Sequence, residues 1–288
     1  MVSELCIYTV ATGIVSVVLQ HEGTIEAPNW HPSGFIVVNS NGLLYRVPLD
    51  APARLESVNT GFAIKLNNDH GFSPDGNLLA ISDKSNTAAS CIYVMPVGGG
   101  HPVRATEEIP SWFHGWSPDG SSICYAAARG DRRKISLYTR RVMPATAAAS
   151  GDGLCLSTAD EVCVTDAFDH VDGPDYSADG QWIWFNGERG GGVGIWRVRV
   201  DGTRLECMVC DEFVNWFPHP SPCGQHVVYL CYPSGTTGHP GGVDVTLRLM
   251  PQGGGVSREI VKLHGGQGTI NVPSWAPDGR AFAFVRFR

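Results

Sequence analysis

Four oxygen-bearing residues and two tryptophans recur at one fixed distance from a repeated glycine. Counting back eight positions from six such glycines gives, in chain order, Glu26, Asn68, Trp112, Asp172, Trp216 and Asn271. Carboxylate and amide oxygens are ligands that Ca²⁺ and Mn²⁺ accept. Glu26, Asn68, Asp172 and Asn271 are therefore candidate ligands of a divalent cation, which could polarise a carbonyl or activate water with a carboxylate as base. The alternative is a hydrated polar funnel in which these side chains cap strand ends and hold water.

Two histidines recur two positions closer to the glycine, where the other four repeats have proline. His70 and His114 occupy this register, and together with Asp172 they are the candidate catalytic residues. Clustered histidines could bind a transition metal or abstract a proton. His219 is out of register by one residue and is a candidate binding residue. The alternative is that these histidines are buried and bonded to neighbouring backbone.

Aromatic and loop residues supply the remaining binding candidates. Trp112 and Trp216 could be stacking platforms for a sugar, or they could fill space between neighbouring sheets. His239 lies in residues 232–242, a loop whose glycine and proline content favours a lid or binding loop. Gln267 lies in a second glycine-rich connection, which lacks the strand-to-helix context of a phosphate-binding loop.

The elements that must position these residues follow from the motif around each glycine. The motif is an aromatic residue followed by Ser-Pro-Asp-Gly, and its six more or less degraded copies are 30–34, 72–76, 116–120, 176–180, 220–224 and 275–279. Proline fixes φ early in a turn, Asp bonds its own backbone, and Gly supplies a positive φ. Apolar, β-branched runs follow each copy, so each motif is predicted to be a turn between two strands.

The spacing of the motif predicts the architecture. Successive glycines are 42, 44, 60, 44 and 55 residues apart, and a period in the forties with four short strands per unit is typical of a β-propeller. The N-terminal residues match the two outer strands of a unit, and the C-terminal residues match the two inner ones. We therefore predict an all-β, six-bladed β-propeller with 2+2 closure, forming a single domain over 1–288 whose last blade is shared by residues 1–20 and 268–288.

This architecture gathers the candidate residues at one end of the channel. We name the strands of each blade A to D, from the channel outward. If the A–B turns lie on one face of the propeller, the D–A and B–C connections lie on the other. Residues just upstream of each motif should then ring the mouth on that second face.

Composition limits the class of partner and the compartment. The net charge of −7 gives no electrostatic case for nucleic acid, and no apolar run is long enough for a membrane span. The nine cysteines lie mostly in strand patterns, and Cys207 and Cys210 form a lone C-x-x-C for which a structural role is expected. Free thiols and the absence of a basic, apolar leader favour the cytoplasm, with the periplasm as the alternative if an export signal was removed.

The repeated aromatic-Ser-Pro-Asp-Gly units, with closure between the two termini, resemble the TolB-like β-propeller family, whose repeats are WD-repeat-like. The resemblance covers essentially the whole chain and implies a module that binds partner proteins. Similar propellers also include metal-dependent lactonases and oligogalacturonate lyases, and the oxygen ring resembles the divalent site of the former. No G-x-S-x-G nucleophile elbow of a hydrolase is found.

Two functions remain open at this level. The first is a soluble TolB-like module that binds a protein partner or a small, carbohydrate-like ligand, with no certain cofactor. The second is a metal-dependent lyase, lactonase or hydrolase that acts on a carbohydrate-like substrate at the channel mouth, with Ca²⁺ or Mn²⁺ as the possible cation. Fold alone does not choose between them.

Overall fold

The computed structural model describes residues 1–50, 53–130, 134–144, 154–159 and 161–288, and these residues form 24 β-strands and no helix. The strands are β1 (Val2–Thr9), β2 (Ile14–Glu22), β3 (Glu26–His31), β4 (Phe35–Ser40), β5 (Leu43–Pro48), β6 (Glu56–Ser57), β7 (Leu66–Phe72), β8 (Leu78–Asp83), β9 (Cys91–Pro96), β10 (Val103–Arg104), β11 (Ser111–Trp116), β12 (Ser122–Arg129), β13 (Lys134–Pro144), β14 (Leu156–Thr158), β15 (Val162–Thr165), β16 (His170–Tyr176), β17 (Trp182–Arg189), β18 (Gly192–Arg199), β19 (Glu206–Val209), β20 (Val214–Pro220), β21 (His226–Tyr232), β22 (Gly241–Pro251), β23 (Arg258–Gly266) and β24 (Ala281–Phe287).

These strands form six antiparallel sheets, which are the six blades that the motif spacing predicts. Blades 1 to 5 follow one another along the chain as β3–β6, β7–β10, β11–β15, β16–β19 and β20–β23. Blade 3 has a fifth strand because both β14 and β15 pair with β13. Residues 145–153, between β13 and β14, lie outside the described residues. No helix of the described residues is long and apolar enough to cross a membrane.

Blade 6 joins the two ends of the chain. Its sheet has the order β2-β1-β24, so two N-terminal strands continue a C-terminal one. The expected inner strand is reduced to an isolated bridge between Trp275 and Phe282, with a further backbone hydrogen bond from the Ala283 N–H to the Ser274 carbonyl at 2.9 Å. This closure pairs the β1 edge that would otherwise be open.

The motif turns have the predicted chemistry. All six motif glycines have positive φ, between 67° and 87°. In blade 3 the Ser117 hydroxyl donates to Asp119 Oδ1, and the same oxygen accepts the Ser121 N–H at 3.0 Å. Because these bonds close the turn locally, the strands on either side of it are held in one register.

The core lies between the blades. Successive residues of each B strand point to opposite faces, so Ile36 and Val38 pack against blade 6 while Val37 packs against Leu79 and Ile81 of blade 2. The described core residues form six such clusters, each shared by two neighbouring blades. The ring is therefore held together by burial between blades, and the strand-A ends are left to line the channel.

A bulge recurs in strand A just after the position that was predicted to ring the mouth. In blades 1, 4 and 5 the pairing with strand B slips after Glu26, Asp172 and Trp216. The next residue in each case has a left-handed backbone, at Ala27 (φ 52°), Gly173 (φ 54°) and Phe217 (φ 53°). An extra residue in one strand redirects the side chains beside it, and here it separates those at the mouth from those deeper in the channel.

The C-x-x-C pair forms a disulfide between Cys207 and Cys210, which goes beyond the structural role that the sequence predicts. Regular alternation would place residues three apart on opposite sides of a strand. Here Trp196 pairs with Cys207 and Ile195 with Val209, which leaves Met208 as an extra residue, and β19 ends at Val209. The bulge and the strand end together bring the two sulfurs to the same side.

Candidate functional site

A polar pocket of about 230 Å³ lies at the mouth where the A strands begin. We call it the mouth pocket. Its lining comes from four neighbouring blades and the connection into blade 6, and consists of Asn67, Asn68, Asp69, Trp112, Ala126, Ile135, His170, Asp172, Phe217, His239, Gln267 and Asn271. Six of these were candidates from sequence: Asn68, Trp112, Asp172, His239, Gln267 and Asn271. The ring geometry thus brings most of the predicted residues to one place.

A buried cluster of ionisable groups adjoins the mouth pocket. His114 Nε2 lies 2.8 Å from Asp172 Oδ1, and the His114 side chain is only 2 % exposed. Asp69, which also lines the pocket, is buried, and its Oδ2 accepts one hydrogen bond from the Asn67 side-chain amide. One imidazole therefore lies among two carboxylates that belong to different blades.

Burial and neighbouring charges shift the pKa values of the residues in this cluster. Burial raises the pKa of Asp172, but His114, His239 and His170 outweigh it and hold that pKa well below its usual range. Burial disfavours the imidazolium of His114, yet Asp69 and Asp172 raise its pKa above the ordinary value. Burial also raises the pKa of Asp69 to about 6, against the opposing influence of His114. The pocket thus combines a carboxyl group with a lowered pKa, a histidine with a raised pKa and a second carboxyl group with a raised pKa.

The loop of blade 5 covers one side of this cluster. His239 Nε2 lies 3.6 Å from Asp172 Oδ2, and its Nδ1 is hydrogen-bonded to the Gln267 side chain. The His239 ring also contacts Trp216, with 4.4 Å between ring centroids. The Pro240 carbonyl accepts the Tyr232 hydroxyl at 3.2 Å and the Gln267 N–H at 3.1 Å. These bonds hold the end of the loop in place, so His239 is part of the pocket wall.

The predicted oxygen ring is largely engaged with the protein itself. Asn68 Oδ1 accepts the Asn39 amide at 2.8 Å, and Asn271 Oδ1 accepts the Gly268 N–H at 2.7 Å. Glu26 lies against Asn68 and Asn39, and burial raises its pKa. Within the described ranges, no group of three or more His, Cys, Asp or Glu side chains is arranged to hold a metal ion. The assignment of Glu26, Asn68, Asp172 and Asn271 as cation ligands stays a prediction, and we derive no step through a cation.

Three candidate histidines, His70, His114 and His219, are not among the residues that line the pocket. His70 is fully buried among the backbone of Val37, Asn68 and Ala27, and this burial lowers its pKa to about 4. His219 is also fully buried, with Nε2 2.7 Å from the Ile270 carbonyl and Nδ1 3.1 Å from Asp175. His70 faces blade 1 whereas His114 faces blade 4, so the structure does not bring these two histidines together. The bulge described above separates His219 from the mouth.

Trp216 is buried beneath His239, whereas Trp112 is half-buried and lines the pocket. Trp112 is therefore the tryptophan available for stacking, and Trp216 acts as support. Sequence reasoning missed Asp69, Phe217 and His170 as pocket residues. Asp69 and Phe217 each follow a ring position by one residue, where an unbroken strand would point them away. For Phe217 the signal is its positive φ after the ring position, which a glycine marks only in blade 4, at Gly173.

No protein-family model matches the chain. The chain is 43 % identical over 288 residues to the uncharacterized protein Atu1656 of Agrobacterium fabrum, covering all of this chain and 93 % of that one. The structure of a TolB-like protein from Agrobacterium tumefaciens superposes with a TM-score of 0.91 at 43 % identity, covering 99 % and 98 % of the two chains. TolB from Acinetobacter baumannii superposes with a TM-score of 0.66 at 19 % identity, over 92 % of this chain and 64 % of that one.

The fold and the polar mouth define a six-bladed β-propeller of the kind that binds ligands or proteins at one end of its channel. The sequence identity to the Agrobacterium relatives, and the share of both chains that it covers, identify the family. It belongs to the TolB-like β-propeller family. The likeness to the Acinetobacter protein shows the fold alone.

Proposed function

We propose that this protein is a binding module whose mouth pocket takes one small, sugar-like ligand. The observation that carries the proposal is the composition of the pocket wall. Carboxylates and amides lie on the floor, and Trp112 and Phe217 lie on the sides. A sugar presents hydroxyl groups at its edge and C–H groups on its face, and this wall offers acceptors and donors to the first and aromatic surface to the second.

The size and charge of the mouth pocket limit the class of ligand that it can bind. A cavity of about 230 Å³ is smaller than a drug-sized site, so it suits a single ring. The neighbouring histidines hold the pKa of Asp172 well below its usual range, and burial raises the pKa of Asp69 to about 6. Two carboxylates beside one imidazolium repel an anionic ligand once Asp69 has lost its proton. Neutral or amino sugars are therefore favoured over uronic acids.

Calorimetric titration with glucose, glucosamine and glucuronate tests the proposal. We expect saturable binding of a neutral or amino sugar that is lost in Trp112→Ala, because the substitution removes the exposed aromatic wall. Asp244→Asn, on the outer surface of blade 5, is the matched control and should bind as the wild type does. Binding that survives Trp112→Ala, or glucuronate binding more tightly than glucosamine at pH 8, would contradict the assignment.

A proton-transfer enzyme that acts on the same ligand class is a second candidate. The observation that favours it is the pair of perturbed groups: a carboxyl group with a pKa of about 6 at Asp69 and a histidine with a raised pKa at His114. Such groups in a cleft are typical of general acid–base sites. Sugar lactones incubated with the wild type and with Asp69→Asn test it. Turnover that is lost in the variant supports the enzyme, and equal, uncatalysed rates speak against it.

A protein partner is a third candidate, supported by membership of the TolB-like family. The mouth pocket would then receive a single side chain of the partner, and the loop at 233–240 would lie at the contact. A photo-crosslinking residue at Thr237, which is exposed on this loop, should capture the partner, whereas one at Val256, exposed away from the mouth, should not. Equal capture at Thr237 and Val256 would contradict the hypothesis that the partner contacts the mouth.

The compartment belongs to the same proposal. The Cys207–Cys210 disulfide favours the periplasmic alternative over the cytoplasmic expectation, because disulfides persist in oxidising compartments and are rare in the cytosol. Thiol quantification of protein trapped by alkylation in intact cells tests this. Seven alkylated cysteines agree with it, since seven others are free, and nine would restore the cytoplasmic prediction.

A further inference from the structure

The opposite end of the channel contains a second cavity, of about 340 Å³, which we call the turn funnel. The six A–B turns surround it. Its wall repeats around the ring: the aromatic residues that end the A strands are Trp30, Phe72, Trp116, Tyr176 and Trp275, and the turn prolines are Pro32, Pro74, Pro118, Pro222 and Pro277. A cavity lined in this way offers π surface from five blades at once.

The aromatic wall is held in place by bonds between blades. The Trp116 indole N–H donates to the Gly71 carbonyl at 3.0 Å, and the Trp275 indole N–H donates to the His219 carbonyl at 2.8 Å. Each bond runs from one blade to the strand A of the blade before it. Because the indole nitrogens are satisfied within the protein, these rings present carbon surface to the cavity and need no rearrangement to receive a ligand.

The charge at this end of the channel is negative. Among the described residues that line the turn funnel, Asp175 alone has an acidic side chain; it is 7 % exposed, and burial raises its pKa. Its Oδ2 lies 3.1 Å from His219 Nδ1. Four of the six surrounding turns also carry an exposed aspartate, namely Asp75, Asp119, Asp179 and Asp278. An anion entering here would meet carboxylates at the rim and again at the floor.

We propose that the turn funnel binds a small organic ammonium ion that carries alkyl groups. Aromatic walls attract a cation through the negative face of each ring, and alkyl groups on the nitrogen gain from apolar contact with the prolines. Asp175 supplies the opposite charge at the floor. The turn funnel is separate from the mouth pocket, because the two cavities share no lining residue. On strand β16, Asp172 lines the mouth pocket and Asp175 lines the turn funnel, with the bulge between them.

The test compares choline with 3,3-dimethyl-1-butanol, which has the same shape without the charge. Calorimetric titration of the wild type should give saturable choline binding and binding of the alcohol that is weaker by about tenfold or more. Asp175→Asn keeps the shape of the side chain and should weaken choline by a similar factor. Trp112→Ala, at the other mouth, should leave the affinity for choline unchanged.

A second variant protects the test against misfolding. Asp175→Asn also loses the charge beside His219, so its melting temperature is measured first. Trp30→Leu alters a half-buried ring at the funnel and should also weaken choline while leaving the alcohol's affinity within about twofold. Equal affinity for choline and the alcohol, a loss of choline binding in Trp112→Ala, or no saturable binding at millimolar choline would overturn the proposal.

Discussion

Replacing Asp172 by asparagine should destabilise the protein, because this residue is the charged partner of a buried imidazolium. His114 Nε2 and Asp172 Oδ1 are 2.8 Å apart, with side chains 2 % and 16 % exposed. Breaking a buried ion pair from one side costs about 3–5 kcal/mol. Asparagine keeps a hydrogen-bond acceptor and Asp69 still faces His114, so the lower end applies, and we expect a loss of about 3 kcal/mol.

The assay is thermal unfolding at pH 6, where both partners carry charge. A loss of about 3 kcal/mol lowers the melting temperature by roughly 6 °C in a domain of this size. Asp244→Asn is the matched control, because it removes an aspartate 2.9 Å from His264 on the surface, where the side chains are 92 % and 49 % exposed. No measurable change is expected there, since exposed pairs contribute little.

The pKa shifts of His114 and Asp172 predict how the stability of the protein changes with pH. The raised pKa of His114 means that its contribution is complete below about pH 6.5 and is lost as the pH rises through the folded-state pKa. The lowered pKa of Asp172 means that its contribution is complete above about pH 4 and is lost only in acid. The wild type should therefore lose stability from pH 6 to pH 8, and Asp172→Asn should lose less. A variant as stable as the wild type, or with the same pH profile, would refute the reasoning.

Three further predictions concern the structure around the two ends of the channel. Gly268→Ala should lower the free energy of unfolding in urea by about 2 kcal/mol, because a Cβ at φ 92° would lie 2.6 Å from Glu26 Cγ. Gly254→Ala is the control, at φ 95° with its nearest neighbour at 3.4 Å, and should lower it by less. The reverse order would contradict this reasoning. Trp116→Phe should cost about 1 kcal/mol by the same measurement through loss of the bond to Gly71. Cys207→Ser should cost about 2 kcal/mol in non-reducing buffer, as expected for a short closed loop, and nothing under reduction.

The fold could be predicted from the sequence because its information is local and repeated. Each motif encodes its own turn through Pro, Asp and Gly, and six copies spaced 42 to 60 residues apart favour a propeller. The closure followed from unmatched strands at the two ends of the chain. Blade 6 departs from this prediction, because the expected inner strand at Trp275 forms only an isolated bridge with β24.

The candidate site could be predicted only in part. Counting from the motif glycine located Asn68, Trp112, Asp172 and Asn271, because register within strand A is fixed by the turn. Phe217 and His219 could not be placed, because the bulge in strand A changes which side chains face the mouth, and its left-handed residue is a glycine in only one of three blades. The partners of His114 come from other blades, so its protonation depends on contacts that no single stretch of sequence contains.

The measurement that tests the central claim most directly is a two-dimensional NMR spectrum of the tryptophan indole N–H groups during titration with the best-binding sugar. The chain has eight tryptophans, and Trp112→Phe assigns the key signal. Binding in the mouth pocket predicts that the Trp112 signal shifts with the ligand while those of Trp116 and Trp275 stay in place. Shifts confined to Trp116 and Trp275, or no shift at Trp112 at saturation, would contradict the assignment of the mouth pocket as the functional site.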